Sequence, residues 1–506
     1  MNIDRYIVTI DDCKKYLIES IEKLLSIENG LAEKIYNDIL YAHLDQLKDS
    51  ISILVEGPYV DRVYRNSYYS YFSSKLGRYN KDCVRLSFFD GDIDDLEFKD
   101  YTKYQELKEK YRGFMVLRPT SPKIIGRSII SPKALKNNHF IICSAKFQTT
   151  ANFAKFEVEG FPHSSQDTES ISCAETTLWA VMEYFGNKYP DYKPVLPSKI
   201  IEVLRRVSTE RQIPSRGLNI NQISYALREF GFGTRLYSRN EFGEEEFNRL
   251  FSCYVESGIP LIVAMDNFAH GGSIGHAILC VGHNEVTPDL IDNLSASKTN
   301  GKEIAMSIYN KNVNFYDNDD VEKKFVFVDD NMPVCQQLLY QFPTGGYSNP
   351  QWDKCQINHF IAPLYPKIYL EVFEAKNFCR KFLLKFFNIS DGIEIYLRFF
   401  LTSSRSFKNS LNFNNTLDDD LKQLILEKPM PKFLWIGEVS TKELIKKKEA
   451  NGLILLDATE ANTSYLRPLI MAFYLDNLIS IDSDTNILSQ KKISLQTFNI
   501  FTNNLK

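Results

Sequence analysis

An α+β fold is what the order of hydrophobic periodicities predicts. Three observations carry it. Apolar residues recur at three- and four-residue steps from about residue 173 to 257; short apolar runs bounded by Gly, Pro and Asn take over from residue 260; and no repeated strand-helix-strand unit interleaves the two. Helices followed by strands is the order of a helical half packed on an antiparallel sheet.

The elements follow from the N-terminus. The chain has 506 residues, 44% of them hydrophobic and 25% charged, which is globular composition at a length that calls for more than one core. Residues 1 to 112 read as a mostly helical region. Cys13 to Leu25 and Leu31 to Leu54 place Leu, Ile and Tyr at helical steps, with Gly30 between them. Tyr59 to Phe72 interleaves tyrosines with Arg62 and Arg65. Such rings can stack nucleobases. With a net charge of -4 there is no global basic field, so nucleic acid is not the expected partner, and the segment reads as an amphipathic helix turning its rings into a core.

Residues 113 to 160 form a β-rich connecting region, with runs at Gly113 to Pro119, Ile124 to Pro132, Phe140 to Ser144 and Ala154 to Val158. Residues 161 to 365 hold the α+β core. Ser172 and Glu175 spell a capping box, so Cys173 is the first residue of a helix. Ala174, Leu178, Val181, Met182 and Phe185 share its apolar face, and Gly186 stands where a C-cap would end it. Further helices are expected at Pro197 to Val207, Ile220 to Phe230 before Gly231, and Glu244 to Ser257 before Gly258. Strands are expected at Pro260 to Met265, His276 to His283 and Lys324 to Asn331. The polar stretch Asp289 to Lys302 reads as a surface loop. Residues 366 to 506 alternate helical segments with strands at Phe433 to Gly437 and Gly452 to Asp457, which reads as a small α/β domain. Asp457 there is a turn residue.

Met1 to Tyr6 is charged and lacks the apolar stretch of a signal peptide. The longest apolar run, Leu469 to Leu475, is far short of the roughly 20 residues of a spanning helix. Nine cysteines, odd in number and without a C-x-x-C pair, point to free thiols. A cytoplasmic protein without a membrane partner is expected.

Cys173 carries the chemistry. The partial positive charge of a helix N-terminus favours a thiolate, the form that attacks carbonyls, whereas Glu169 and Glu175 oppose it, so a cationic partner is required. The competing reading is a small buried apolar Cys. His276 begins an apolar strand after Gly275, where it can accept the thiol proton and become that cation. Asp329 closes the next strong strand and can orient the imidazole, with Asp330 or Asn331 as the alternative. Gln166 can donate to the developing oxyanion. Gly271-Gly272-Ser273-Ile274-Gly275 matches the serine-hydrolase elbow, but that turn needs a helix after the Ser and here an apolar β run follows. His270, His276 and His283 are possible metal ligands without supporting Cys or carboxylate spacing. His163 is a lesser candidate base, and His43, His139 and His359 read as structural.

These residues give the chain a family resemblance. It resembles the papain-like cysteine peptidases, in particular the bacterial branch that includes the bacteriocin-leader-processing peptidases, over about residues 161 to 365. The matching pieces are Gln166, Cys173 at a helix start, Gly217 with Asn221 and Gln222, Gly258-Ile259-Pro260, Gly275-His276 through Gly282, and Val328-Asp329. The chain departs from the branch at Ala174, where Gly is usual, and at Asp330, where Pro is usual.

The resemblance implies a papain-like core, a helical half plus antiparallel sheet, flanked by the N-terminal region and the C-terminal extension. It also implies a triad of Cys173, His276 and Asp329 with Gln166 as oxyanion donor. The expected activity is hydrolysis of an amide bond in a peptide or protein, with no metal or organic cofactor. The same triad serves transglutamination, deamidation and peptide ligation. A catalytically silent papain-like binding module is the reading from a different class. The sequence leaves the oligomeric state open.

Overall fold

A computed structural model describes residues 5–77, 79–215, 217–296, 312–482, 485, 487–494 and 496–506. The fold is α+β. The chain divides into two units: Met1–Gly231, Ile262–Val281 and Phe325–Ile361 make the first, and Phe232–Leu261, Gly282–Lys324 and Ala362–Lys506 the second.

The first unit contains an antiparallel seven-stranded sheet in the order Tyr6–Thr9, Ile51–Tyr59, Cys83–Asp90, Tyr111–Leu117, Ile125–Ile130, Ala154–His163, Ala145–Ala151. Three of these strands fall in the region read as mostly helical. The helix expected from Leu31 to Leu54 ends at Asp45, and Ile51–Tyr59 is a strand. Ile51, Ile53 and Val55 lose χ1 freedom on a helix but suit a pleated sheet, and all three are buried here. Cys13–Leu25 is helical as predicted. The tyrosine-rich segment forms the helix Arg62–Ser70, capped by Asp61, which accepts from the Tyr64 N–H at 2.7 Å. It buries Tyr64, and Phe72 just beyond it, and leaves Tyr69 in solvent.

The Cys173–Lys188 helix packs on the strands Ala145–Ala151 and Ala154–His163, with Tyr184 stacked on Phe161 at 5.1 Å between centroids. It is buried on nearly every face from Ala174 to Phe185, rather than along one stripe as the periodicity suggested. Gly186 is not its C-cap. The helix runs two residues further, and a Cβ at Gly186 would lie 2.3 Å from the Pro194 nitrogen, so this glycine permits a close backbone approach. The helices Pro197–Leu204 and Ile220–Glu229 follow, the latter closed by Gly231 at φ 97°.

A second sheet of this unit has the order Gln336–Leu339, Lys324–Val328, Gly275–Asn284, Leu261–Asp266, Gln356–Leu364, with Phe140–Ile142 beside Gly275–Asn284. It carries His276 at the start of one strand and Asp329 just past the end of its neighbour.

The second unit holds a sheet in the order Asn314–Asp317, Glu394–Ser403, Phe433–Ser440, Gly452–Asp457, Leu469–Tyr474, Asn477–Ile481, Leu488–Lys492. Only the first of its pairs is parallel; the rest are antiparallel. The α/β organisation expected of residues 366–506 therefore gives way to α+β: the helices Ser404–Asn412 and Asp419–Glu427 join two antiparallel neighbours rather than serving as crossovers between parallel strands. Asp457 is a turn residue as read, accepting from the Thr459 N–H at 2.7 Å. Pro288–Asp292 is a short helix, and residues 297–302 of the expected surface loop lie outside the described residues, as do residues 1–4 at the N-terminus. Among the described residues no helix is long and apolar enough to cross a membrane.

Buried charges thread the second unit. Arg398 donates to Glu256 at 2.8 Å, to Glu438 at 2.6 Å and to the Phe501 carbonyl at 2.8 Å. Lys376 meets Asp319 at 2.6 Å and Asp317 at 3.3 Å, and Arg380 pairs with Asp317. Removing one partner of such a network strands the others without water. Arg398→Ala is expected to cost about 3–5 kcal/mol in denaturant-melt stability, well beyond its lost packing.

Candidate active site

Cys173 is the first residue of its helix, and of the nine cysteines it alone is partly exposed. Both glutamates that threatened a thiolate there are engaged elsewhere. Glu175 closes the capping box by accepting from the Ser172 N–H at 3.1 Å, and its other oxygen accepts from the Ser215 hydroxyl at 2.7 Å. Glu169 accepts from the Tyr71 hydroxyl at 2.7 Å and pairs with Lys75 at 2.9 Å; that hydroxyl and then the ammonium hold its carboxyl below the ordinary value against partial burial. The loop between Gln166 and Cys173 is fastened by Asp167, whose Oδ1 accepts from the N–H groups of Glu169, Ser170 and Ile171 at 2.9, 2.6 and 3.0 Å. Within it Thr168 sits at φ 65°, a strained conformation for a β-branched residue.

The second sheet delivers the partners. On one side His276 is close enough to Cys173 for that side chain to help raise its pKa. On the other its Nε2 lies 2.9 Å from Asp329 Oδ1, which leaves Nδ1 as the nitrogen not engaged by that carboxylate. Burial disfavours charge on the imidazole, but the Asp329 carboxylate and hydrogen bond, with help from Cys173 and Asp330, raise it well above the ordinary value. Burial likewise works against an ionised Asp329, and the His276 charge and hydrogen bond outweigh it, so that carboxyl is lowered. Sulfur, imidazole and carboxylate thus come together at one place, with Asp329 rather than Asp330 as the nearer carboxylate.

Asp329 is held from several directions. Its Oδ1 also accepts from the Asn331 N–H at 2.9 Å, and its Oδ2 from the Tyr347 hydroxyl at 2.7 Å. His163 is a brace and not a base: its buried Nε2 lies 3.1 Å from the carbonyls of both Asp329 and Met332, and burial lowers its pKa, leaving it neutral. Gln166 joins through Asn331, whose Oδ1 accepts from Gln166 Nε2 at 3.2 Å and from Lys123 Nζ at 2.9 Å. Asn331 Nδ2 stands 3.5 Å from His276 Nε2. Asn331 therefore links the carboxamide to the triad.

Aromatic rings cover the His276–Asp329 bond. Trp352 meets the imidazole edge-on, with centroids 5.2 Å apart, and stacks on Tyr347 at 3.9 Å. Asn267 pins Trp352 in place. Its Nδ2 donates to the carbonyls of Gln351 at 2.8 Å and Asp353 at 3.2 Å, the residues flanking Trp352, while its Oδ1 accepts from the Ile274 N–H at 3.0 Å. Asn267→Ala is expected to cost roughly 1–3 kcal/mol in a chemical melt and to loosen Trp352 against His276.

Other expectations resolve on the same geometry. Ser273 is exposed and followed by the strand Gly275–Asn284, so no nucleophile elbow forms. His270 lies in an exposed turn, and His283 meets Glu256 at 3.1 Å and the Asn284 carbonyl at 2.7 Å, so the three histidines do not make a metal set. Among the described residues, His276, Asp329 and Asp330 form the group that could hold a metal ion, their donor atoms lying within 4.8 Å of one another. Tyr347, Trp352, Asn267 and Lys123 escaped sequence reading. The only hint was two aromatics in a stretch dense in Gly, Asn and Pro, Gly345-Gly346-Tyr347-Ser348-Asn349-Pro350-Gln351-Trp352. No protein-family model and no curated protein matches the chain.

Proposed function

We propose that the chain is a papain-like cysteine hydrolase that cleaves an amide bond in a peptide or protein through a thioester at Cys173. The observation that carries this reading is the hydrogen bond of His276 to Asp329 beside Cys173, the one partly exposed cysteine, at a helix start.

His276 takes the thiol proton through Nδ1, and Asp329 stabilises the imidazolium through Nε2. The thiolate attacks the carbonyl carbon, and the oxyanion that forms receives an N–H from Gln166, whose amide is oriented by Asn331. The imidazolium returns its proton to the departing nitrogen as the C–N bond breaks, leaving the thioester. Water then adds, giving one proton to His276; the C–S bond breaks, a carboxylic acid leaves, and thiolate and imidazolium are restored. An amine in place of water would give transamidation with the same residues. Buried free thiols at the other eight cysteines suit a reducing compartment, and the cytoplasm is the proposed setting.

The test is a peptide library digested by the protein and read by mass spectrometry, with Cys173→Ala in parallel. New termini from the wild type alone, and a covalent adduct of a peptidyl vinyl sulfone at Cys173, are expected. Labelling of Cys173 by iodoacetamide with the pH dependence of a free thiol, near pH 8.5, and unchanged in His276→Ala, would refute the proposal.

A further inference from the structure

The Gln166 carboxamide can stabilise an oxyanion only if its NH2 faces the reacting carbonyl. The two ends of an amide are nearly equal in size, so packing alone does not choose between them. The hydrogen bonds around it do. Lys123 Nζ donates to Asn331 Oδ1 at 2.9 Å. An ammonium has three donors and no acceptor, so the end of Asn331 that meets it must be oxygen. Gln166 reaches that same oxygen at 3.2 Å, and what meets an oxygen there must be an N–H, hence Nε2. The other end of Asn331 agrees: its Nδ2 is turned to His276, 3.5 Å from the ring Nε2. Gln166 Nε2 makes no second hydrogen bond among the described residues, which leaves its remaining N–H for a substrate oxygen. We propose that Lys123 is a positioning residue that sets, through Asn331, which end of the Gln166 amide is presented to the substrate.

The catalytic part of this role rests on the hydrolase reading, in which Gln166 is the oxyanion donor. A side chain that both donates and accepts, such as Ser or Gln, would leave both orientations of Asn331 open at this position; a donor-only side chain does not. Both ends of the relay are anchored to one buried guanidinium. Arg118 Nη2 donates to the carbonyl of Ser165, the residue before Gln166, at 2.7 Å, and its Nε lies 3.4 Å from the Lys123 carbonyl, which also accepts from the Thr120 hydroxyl at 2.7 Å. The Ser165 N–H in turn donates to the Ile125 carbonyl at 3.0 Å. Lys123 itself is half-buried, and its one hydrogen bond among the described residues goes to a neutral amide oxygen, not to a carboxylate. It lies before residue 161, so the β-rich region ahead of the papain-like stretch supplies part of the site, and residues 161 to 365 alone would lack the group that orients Gln166.

The experiment uses the full chain carrying Lys123→Met, which keeps the length and removes the donors, or Lys123→Arg, which is again donor-only. In cleavage of a fluorogenic peptide, Lys123→Met is expected to lower kcat about 10- to 100-fold with KM within about twofold, and Lys123→Arg to recover most of the loss. The second readout is independent of cleavage. With 15N in the glutamine side chains, and the Gln166 signals identified by their absence from Gln166→Glu, wild type and Lys123→Arg are expected to show one Gln166 amide proton protected from solvent exchange and one unprotected; in Lys123→Met the protection is lost or the signals double. A Gln166 exchange pattern unchanged in Lys123→Met overturns the proposal, as does a kcat that Lys123→Met does not lower, and equal kcat losses in both variants would mark a packing role and overturn it too. A wild type that cleaves nothing sinks the hydrolase reading, while the exchange pattern still judges the hold of Lys123 on Gln166. Should Lys123→Met not fold, the wild type decides: one slow and one fast Gln166 proton support the proposal, and two that exchange equally fast overturn it.

Discussion

On the proposed hydrolase function, replacing Cys173 by alanine is expected to abolish peptide cleavage, with a loss of at least about 10⁴-fold in kcat, while the melt stays within about 1 kcal/mol of wild type. The size of the loss reflects the removal of the only atom able to form the thioester; oriented groups that remain, such as Gln166 and His276, retain only a residual effect. The small stability change follows from position. Cys173 is partly exposed at a helix N-terminus whose cap depends on Ser172 and Glu175, and those side chains are untouched. Single-turnover assays with a fluorogenic peptide, beside calorimetry, check both halves. Cys173→Ser should show nearly the same loss, since a hydroxyl gives up its proton far less readily to the same imidazole.

His276→Ala is expected to bring the second-largest effect and to reveal the pH logic of the site. In the proposed mechanism the imidazolium is the cation that holds the thiolate; without it, Cys173 alkylation is expected to move toward the free-thiol range near pH 8.5, and hydrolysis to fall by roughly 10³-fold or more. Stability should respond with a definite sign. His276 has a raised pKa in the folded state, so its contribution is complete below the unfolded value near 6.5 and is lost as pH rises through the folded value. Asp329 has a lowered pKa, so its contribution is present above the unfolded value near 3.9 and is lost as pH falls through the folded one. Melts of His276→Ala and wild type from pH 4 to 9 should accordingly differ most toward the acid end of that range and converge as the wild-type imidazolium deprotonates.

How much of this could be read from the chain differs by element. The Cys173 helix start was legible because a capping box is local: Ser172 and Glu175 lie three residues apart and satisfy each other's neighbourhood without help from elsewhere. The strands bearing His276 and preceding Asp329 were legible because their apolar runs are strong and bounded. Ile51–Tyr59 reads as helix because Ile51-Ser52-Ile53-Leu54-Val55 is apolar at all but one position, which leaves too little period to distinguish a buried strand from a buried helix. The end of the Cys173 helix was misplaced because Gly186 serves a contact with Pro194 and not a cap. Pairing of Glu394–Ser403 is not legible locally because its partners, Asn314–Asp317 and Phe433–Ser440, lie far from it along the chain.

By itself the sequence determined where a thiol, an imidazole and two adjacent carboxylates stand on their own elements, because caps, strand ends and turn residues are set by neighbours a few positions away. Only the tertiary structure decided that Asp329 and not Asp330 takes the short bond to His276, that Lys75 and Ser215 occupy the two glutamates, that His163 braces a carbonyl, and that Asn267 pins Trp352 against the imidazole. Those choices turn on a few tenths of an ångström between groups remote along the chain, and such distances are set by packing, which no local pattern encodes.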